Sequence, residues 1–257
     1  MGNNQNQTKS QICANLLLFE KEWKAGAGQN QLLIESAGLG FHTVEVRQEY
    51  FRDLTEEIPQ LAETAGAHDI SLYLSVPDVL FLSDGCLNPK LASYLTEAKA
   101  LKVRRLKLNI GNYEAFTGNL SETLLSYLLQ GVQISVENDQ SQENGTIRPI
   151  KKFLDAVHKN GLAIDFTFDS GNWLAAGEDP LLAAEILSEY TEYIHVKDMK
   201  SIDGKFDAVR LDTGQLPWRR ILQRLPKAKP IALEYPAENH DLILKDLTLI
   251  NSFLESV

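Results

Sequence analysis

Short runs in which apolar and polar residues alternate are separated along this chain by longer segments with helical periodicity. The strand-like runs are Gln11–Leu18, Thr43–Arg47, Ser71–Val76, Arg105–Ile110, Val132–Glu137, Leu162–Phe168, Tyr193–Val196 and Pro230–Glu234. Helix-like segments lie between them over Gln29–Ala37, Leu54–Ala65, Lys90–Leu101, Leu120–Gln130, Ile147–Asn160 and Pro180–Glu189, and Leu242–Glu255 follows the last strand. Pro77 is expected to end the third strand, and Pro59 leaves the start of the second helix open. A longer loop over residues 199–214 and a short helix at Trp218–Arg224 precede the last strand. Strands alternating with helices imply parallel pairing through right-handed crossovers. Eight such units in 257 residues favour closure into a single-domain (β/α)8 barrel, a fold that occupies about 250 residues. An open doubly wound sheet loses support because no GxGxxG follows the first strand. The barrel is expected to span residues 10–257, with the polar residues 1–9 as a loosely attached leader.

A barrel carries its active site at the C-terminal ends of its strands, so polar residues there, of the parity that points inward, are the informative ones. The second strand ends with Glu45 and Arg47, the third offers Tyr73 and Ser75, and the fourth Lys107 and Asn109. The fifth ends in Glu137, the sixth in Asp169, the seventh offers His195 then Lys197, and the eighth ends in Glu234. Isolated charges in apolar runs are explained by buried ion pairs, but polar ends on seven strands are more simply explained by a shared polar mouth. Three carboxylates and one imidazole suit Mn²⁺, Mg²⁺, Co²⁺ or Zn²⁺, and no cysteine lies near these ends to favour a softer ion.

Charge and composition narrow the partners. A net charge of -10 argues against nucleic acid and against anionic membranes. No apolar run approaches a membrane span. Two cysteines, Cys13 and Cys86, cannot build a disulfide framework, which points to a reducing cytoplasm. A small-molecule partner is expected. Homo-oligomerisation is compatible with the sequence, although no exposed apolar stripe marks an interface.

The segments TVEVR (Thr43–Arg47), VENDQ (Val136–Gln140), FDSGNW (Phe168–Trp173), IHVKD (Ile194–Asp198) and LEYP (Leu233–Pro236) occur in order at strand ends. Together they resemble the xylose isomerase-like TIM barrels, the sugar phosphate isomerase/epimerase group. The resemblance implies that Glu137, Asp169, His195 and Glu234 bind the metal, and that the two glutamates also serve as acid and base. Several members carry a histidine three residues after the strand-six aspartate; Asn172 stands there in this chain.

The expected chemistry is proton transfer beside a carbonyl of a sugar, sugar acid or sugar phosphate, with the cation stabilising the enediolate. Glu137 and Glu234 are the candidate bases. Lys107 and Lys197 would stabilise charge on a substrate oxygen or hold a phosphate. Glu45, Arg47, Asn109, Asn172 and Trp173 are candidate substrate contacts. Competing readings pair Lys107 and Lys197 with Glu45 or Glu137, give Glu45 and Arg47 to closing the barrel, give Asp169 to capping the Ser170–Gly171 turn, and make Trp173 a packing wall. A dehydratase acting on a keto-polyol and a non-catalytic sugar-binding barrel are the alternative functions. The acidic charge and the single strand-end histidine weigh against the endonuclease branch.

Overall fold

The computed structural model describes residues 12–141 and 144–257, so the expected leader lies outside the described residues. Eight parallel strands close into a barrel: β1 (Ile12–Asn15), β2 (Thr43–Arg47), β3 (Ser71–Phe81), β4 (Arg105–Gly111), β5 (Gln133–Glu137), β6 (Ile164–Asp169), β7 (Thr191–Val196) and β10 (Ile231–Leu233), with β10 beside β1. Helices on the outside connect them, the longest being Leu54–Ala67, Ile147–Lys159 and the closing His240–Glu255. This is a (β/α)8 barrel. Among the described residues no helix is long and apolar enough to cross a membrane.

The strand alternation sorts side chains into two unlike interiors. Val44, Val46, Leu72, Leu74, Leu106, Leu108, Ile134, Val136, Phe166 and Phe168 point outward and form one apolar layer with the helices. The side chains of opposite parity point into the barrel, and there the apolar contacts shrink to Cys13, Tyr73, Tyr193 and Ala232. The rest of the lumen is polar. Near its N-terminal end Arg105 pairs with Asp165 at 2.9 Å and lies over the Tyr73 and Tyr193 rings. Above that stand Glu45, Lys107, Glu137, His195 and Glu234. A parallel strand buried on both faces usually reads as a continuous apolar run, so the alternation here records a lumen reserved for polar groups.

Three elements depart from expectation. The first strand stops at Asn15, and Leu16–Phe19 form a 3-10 turn whose start is capped when Leu17 N–H donates to Asn15 Oδ1 at 2.9 Å. β3 runs on past Pro77 to Phe81, because its register against β4 shifts between Ser75 and Val79 and no ladder bond is required of the proline there. The segment after β7, expected as loop, is an antiparallel hairpin of β8 (Asp198–Ile202) and β9 (Lys205–Val209). Its turn is Asp203–Gly204, with φ 50° and 77°, the left-handed pair that an Asp-Gly hairpin turn demands. The second helix begins at Leu54, where the Asp53 carboxylate accepts from Thr55 and Glu56 N–H, and it carries Pro59 within it.

Candidate metal centre

The register of the barrel carries strand-end residues to one level. Glu137 lies opposite Asn109, and Asp169 and Ala232 flank His195 on the two neighbouring strands. Glu234 follows directly after β10. The next residue, Tyr235, anchors the chain to the closing helix, its hydroxyl donating to the buried Asp246 at 2.7 Å. As a result Glu137, Asp169, His195 and Glu234 each present one donor atom within 4.8 Å of the others, and all four residues are buried.

His195 stands at the centre of this group. Its Nδ1 lies 2.6 Å from Glu137 Oε1 and 3.1 Å from Glu234 Oε2. Its Nε2 lies 2.8 Å from Glu45 Oε2, on the opposite side of the ring. That carboxylate also accepts from the Tyr193 hydroxyl at 2.6 Å and, through Oε1, from Asn15 Nδ2 at 3.0 Å. Asn15 Nδ2 reaches Glu234 Oε1 as well, at 3.1 Å. Asp169 divides its two oxygens. Oδ1 accepts from the Gly171 and Asn172 N–H groups at 2.8 and 3.0 Å, and Oδ2 faces Lys197 Nζ at 2.6 Å. Turn capping and an inward-facing donor thus coexist in one side chain. Lys107 is ion-paired with Glu137 Oε2, and Lys197 Nζ also contacts Glu234 Oε2 at 3.1 Å. Gly171 permits this crowding: a Cβ there would lie 2.7 Å from Met199 Sδ and 2.9 Å from Lys197 Cγ.

Burial and charge oppose each other at every titratable group. For Glu137 burial pushes the carboxyl up, but Lys107 and then His195 pull it below its usual value. Glu234 is held well below its usual value despite burial, chiefly by His195 and Lys197. Asp169 is pushed up to about 7 by burial and by the neighbouring Glu234 and Glu137, against the pull of Lys197. Burial would discharge His195, but Glu234, Glu45 and Glu137 surround it and raise its pKa well above the ordinary imidazole value. Lys107 is likewise raised against burial by Glu137.

The donor set fits a divalent cation. Glu137 Oε1 and Asp169 Oδ2 are buried and, although each lies 2.6 Å from a cationic nitrogen, neither completes a hydrogen bond of good geometry. Both therefore keep acceptor capacity directed into the cluster. Three carboxylates and an imidazole nitrogen supply the oxygen-rich coordination of Mn²⁺, Mg²⁺, Co²⁺ or Zn²⁺. With Nδ1 facing the cluster and Nε2 bonded to Glu45, His195 has the outer carboxylate partner that orients metal-bound imidazoles.

Above the cluster opens a cavity of about 430 Å³. Arg47, Lys107, Asn109, Asn172 and Lys197 line it, together with Glu137 and Glu234. Asn109 Nδ2 donates to Asp139 Oδ2 at 2.9 Å, and Asn172 Nδ2 to the Asn138 carbonyl at 3.0 Å. Arg47 pairs with Glu234 at 3.2 Å and with Glu49 at 2.7 Å. Two expected substrate contacts are not at this surface. Glu45 is wholly buried beneath His195, because its strand position is one step deeper than Arg47. Trp173 is wholly buried against Phe168, since the short helix Asn172–Ala176 turns it inward, away from the mouth. Asn15, Tyr193 and Asp139 were not anticipated. The sequence signal for Asn15 is a lone amide within the apolar run ICANLLL, which marks a strand end only once the strand is known to stop there and not at Leu18.

Replacing Glu45 by Ala is expected to weaken Mn²⁺ binding roughly 10–100-fold without unfolding the barrel, as loss of an outer partner does for other metal-bound histidines. Competition against a chromophoric chelator checks it; unchanged affinity would leave Glu45 with no role in orienting His195.

Residues 111–253, more than half of the chain, match the family described as xylose isomerase-like TIM barrel. The chain belongs to that family. No curated protein matches this xylose isomerase-like barrel in sequence. Among solved structures it is similar to a probable 3-DHS dehydratase, AsbF, from Bacillus anthracis, at 12% identity and a TM-score of 0.74, covering 94% of this chain and 99% of that one. It is similar to the zinc-bound IOLI protein at 14% identity and a TM-score of 0.71, covering 96% and 99%. D-psicose 3-epimerase from Clostridium cellulolyticum H10, solved with D-tagatose, is 14% identical with a TM-score of 0.63, covering 96% and 99%. At these identities the likeness is one of fold.

Proposed function

We propose that this chain is a divalent-metal-dependent isomerase or epimerase that moves a proton on the carbon beside a carbonyl in a sugar, sugar acid or sugar phosphate. The observation that carries the reading is the placement of Glu137 and Glu234 against the same nitrogen of His195 at the base of a polar cavity. Glu137, Asp169, His195 and Glu234 would hold the ion. Its contribution would be Lewis-acid polarisation of the substrate carbonyl.

The chain's own residues supply the rest. Glu137 and Glu234 are held as carboxylates, the form a base requires, by the cations that surround them. One would take the proton from the reacting carbon and the other return it. Lys107 and Lys197 place positive charge beside the cavity, where a substrate oxygen gains negative charge. Arg47, Asn109 and Asn172 offer the donors and acceptors that orient hydroxyl, carboxylate or phosphate groups. The zinc in one structural neighbour and the sugar epimerase activity named for another support the reading. Cys13 and Cys86, both unpaired, suit a reducing cytoplasm.

The test combines elemental analysis with isotope exchange. Purified protein should contain near-stoichiometric Mn, Co, Zn or Mg, and a Glu137→Gln/His195→Ala double variant should lose it. The loaded wild type should then transfer solvent deuterium to the carbon next to the carbonyl of a keto-sugar. Absence of metal after incubation with Mn²⁺ would sink the proposal. Product that has lost water would move the assignment to a dehydratase, and metal binding without exchange would move it to a sugar-binding barrel.

A further inference from the structure

Two ammonium groups stand among the carboxylates of the centre, and they bear on it differently. Lys107 pairs with Glu137 through Oε2, leaving Oε1, the oxygen beside His195 Nδ1, to the cluster. Lys197 Nζ instead contacts Asp169 Oδ2 at 2.6 Å and Glu234 Oε2 at 3.1 Å. These are the oxygens left for a cation. The other oxygen of Asp169 is engaged by the Gly171 and Asn172 N–H groups, and the other oxygen of Glu234 accepts from Asn15 and Arg47. Lys197 and a divalent ion therefore claim the same two donor atoms.

Each oxygen has lone pairs for both, but the charges are incompatible. A metal about 2.1 Å from either carboxylate oxygen, with the ammonium 2.6 or 3.1 Å from the same oxygen, would leave the cations about 5 Å apart or less. Lys197 and all four candidate ligands are buried, so water screens that repulsion poorly.

From this geometry we infer that Lys197 is a placeholder cation, which holds Asp169 and Glu234 in the metal-free protein and yields both oxygens when a divalent ion binds. The inference rests on the assignment of these residues as metal ligands. The side chain has a place to go, because Lys197 also lines the cavity above the cluster. The absence of a Cβ at Gly171 is what lets the Lys197 stem pass beside it, since a Cβ there would lie 2.9 Å from Lys197 Cγ. Turned upward, the ammonium meets substrate oxygens. Metal binding thus delivers a positive group to the substrate side, and the carboxylates never face one another without a counter-charge.

The test compares Mn²⁺ affinity and thermal melting for the full chain, Lys197→Met, Lys197→Gln and Lys107→Met. Both Lys197 variants are expected to bind Mn²⁺ about tenfold or more tightly than wild type, since no ammonium must be displaced. Their metal-free forms should melt below wild type, and Mn²⁺ should raise their Tm by more than it raises that of wild type. A lysine with a purely structural role would leave the lost Tm unrecovered by metal. Unchanged or weaker Mn²⁺ binding in the Lys197 variants overturns the inference. So does equal tightening in Lys107→Met, which would reflect removal of charge in general. If wild type and all variants fail to bind Mn²⁺, the ligand assignment itself fails, a result distinct from binding that Lys197 does not affect.

Discussion

Glu137→Gln and Glu234→Gln are each expected to lower kcat roughly 10²–10⁴-fold, the range spanned by a positioned acid or base. An amide is nearly the shape of a carboxylate but cannot accept a proton from carbon. Each variant also withdraws a donor from the cluster, so metal content must be measured alongside turnover. At saturating Mn²⁺, a proton-transfer role predicts that kcat stays depressed while KM changes little. Recovery of kcat on adding metal would reduce both residues to ligands. Glu137→Gln should have the larger cost to folding. It leaves the buried Lys107 ammonium without its carboxylate partner, whereas Glu234 shares Lys197 with Asp169.

Metal affinity is expected to climb steeply with pH, by about tenfold per unit for each proton that must leave. In the metal-free protein His195 lies between Glu137 and Glu234 on one side and Glu45 on the other, and its pKa is raised well above the usual value. The raised pKa favours a proton on the nitrogen that faces the cluster, and an incoming ion must expel it. Asp169 adds a second proton below its pKa of about 7. The sign follows directly: raised pKa values mean more bound protons in the metal-free form, so acid favours that form and alkali the metal-bound one. Affinity should therefore rise with pH, and more steeply below about pH 7, where Asp169 also binds a proton, than above it. Titration calorimetry in buffers of different ionisation enthalpy counts the protons released. A pH-independent Kd would show that His195 is neutral before metal arrives, or that it is not a ligand.

Much of this was legible in the sequence, for a definite physical reason. Strand and helix periodicities are local, so β2 appears with its expected bounds and the other barrel strands at their expected places, with ends shifted by up to five residues in β3. Side-chain alternation is local too, and once closure of the barrel is assumed it brings Glu137, Asp169, His195 and Glu234 to one end. Asp203–Gly204 is likewise a local signal, an Asp-Gly pair suited to a hairpin turn within the segment expected as loop.

The depth of each residue in the lumen, and the partner of each charge, depended on tertiary structure. Depth depends on the stagger between strands, and no single strand contains that information. Hence Glu45 and Arg47, two residues apart on one strand, separate into a buried support for His195 and a cavity wall. The direction of Trp173 depends on a five-residue helix whose packing against Phe168 decides it. Pairing is long-range in the same sense. Lys107 and Lys197 read alike as strand-end lysines, yet the barrel gives one to the outer oxygen of Glu137 and the other to the two oxygens a metal would use. The sequence by itself determined that Glu137, Asp169, His195 and Glu234 share one end of the barrel. Only closure of the barrel decided which atoms face one another, because a buried charge takes whichever counter-charge the neighbouring strands bring within reach.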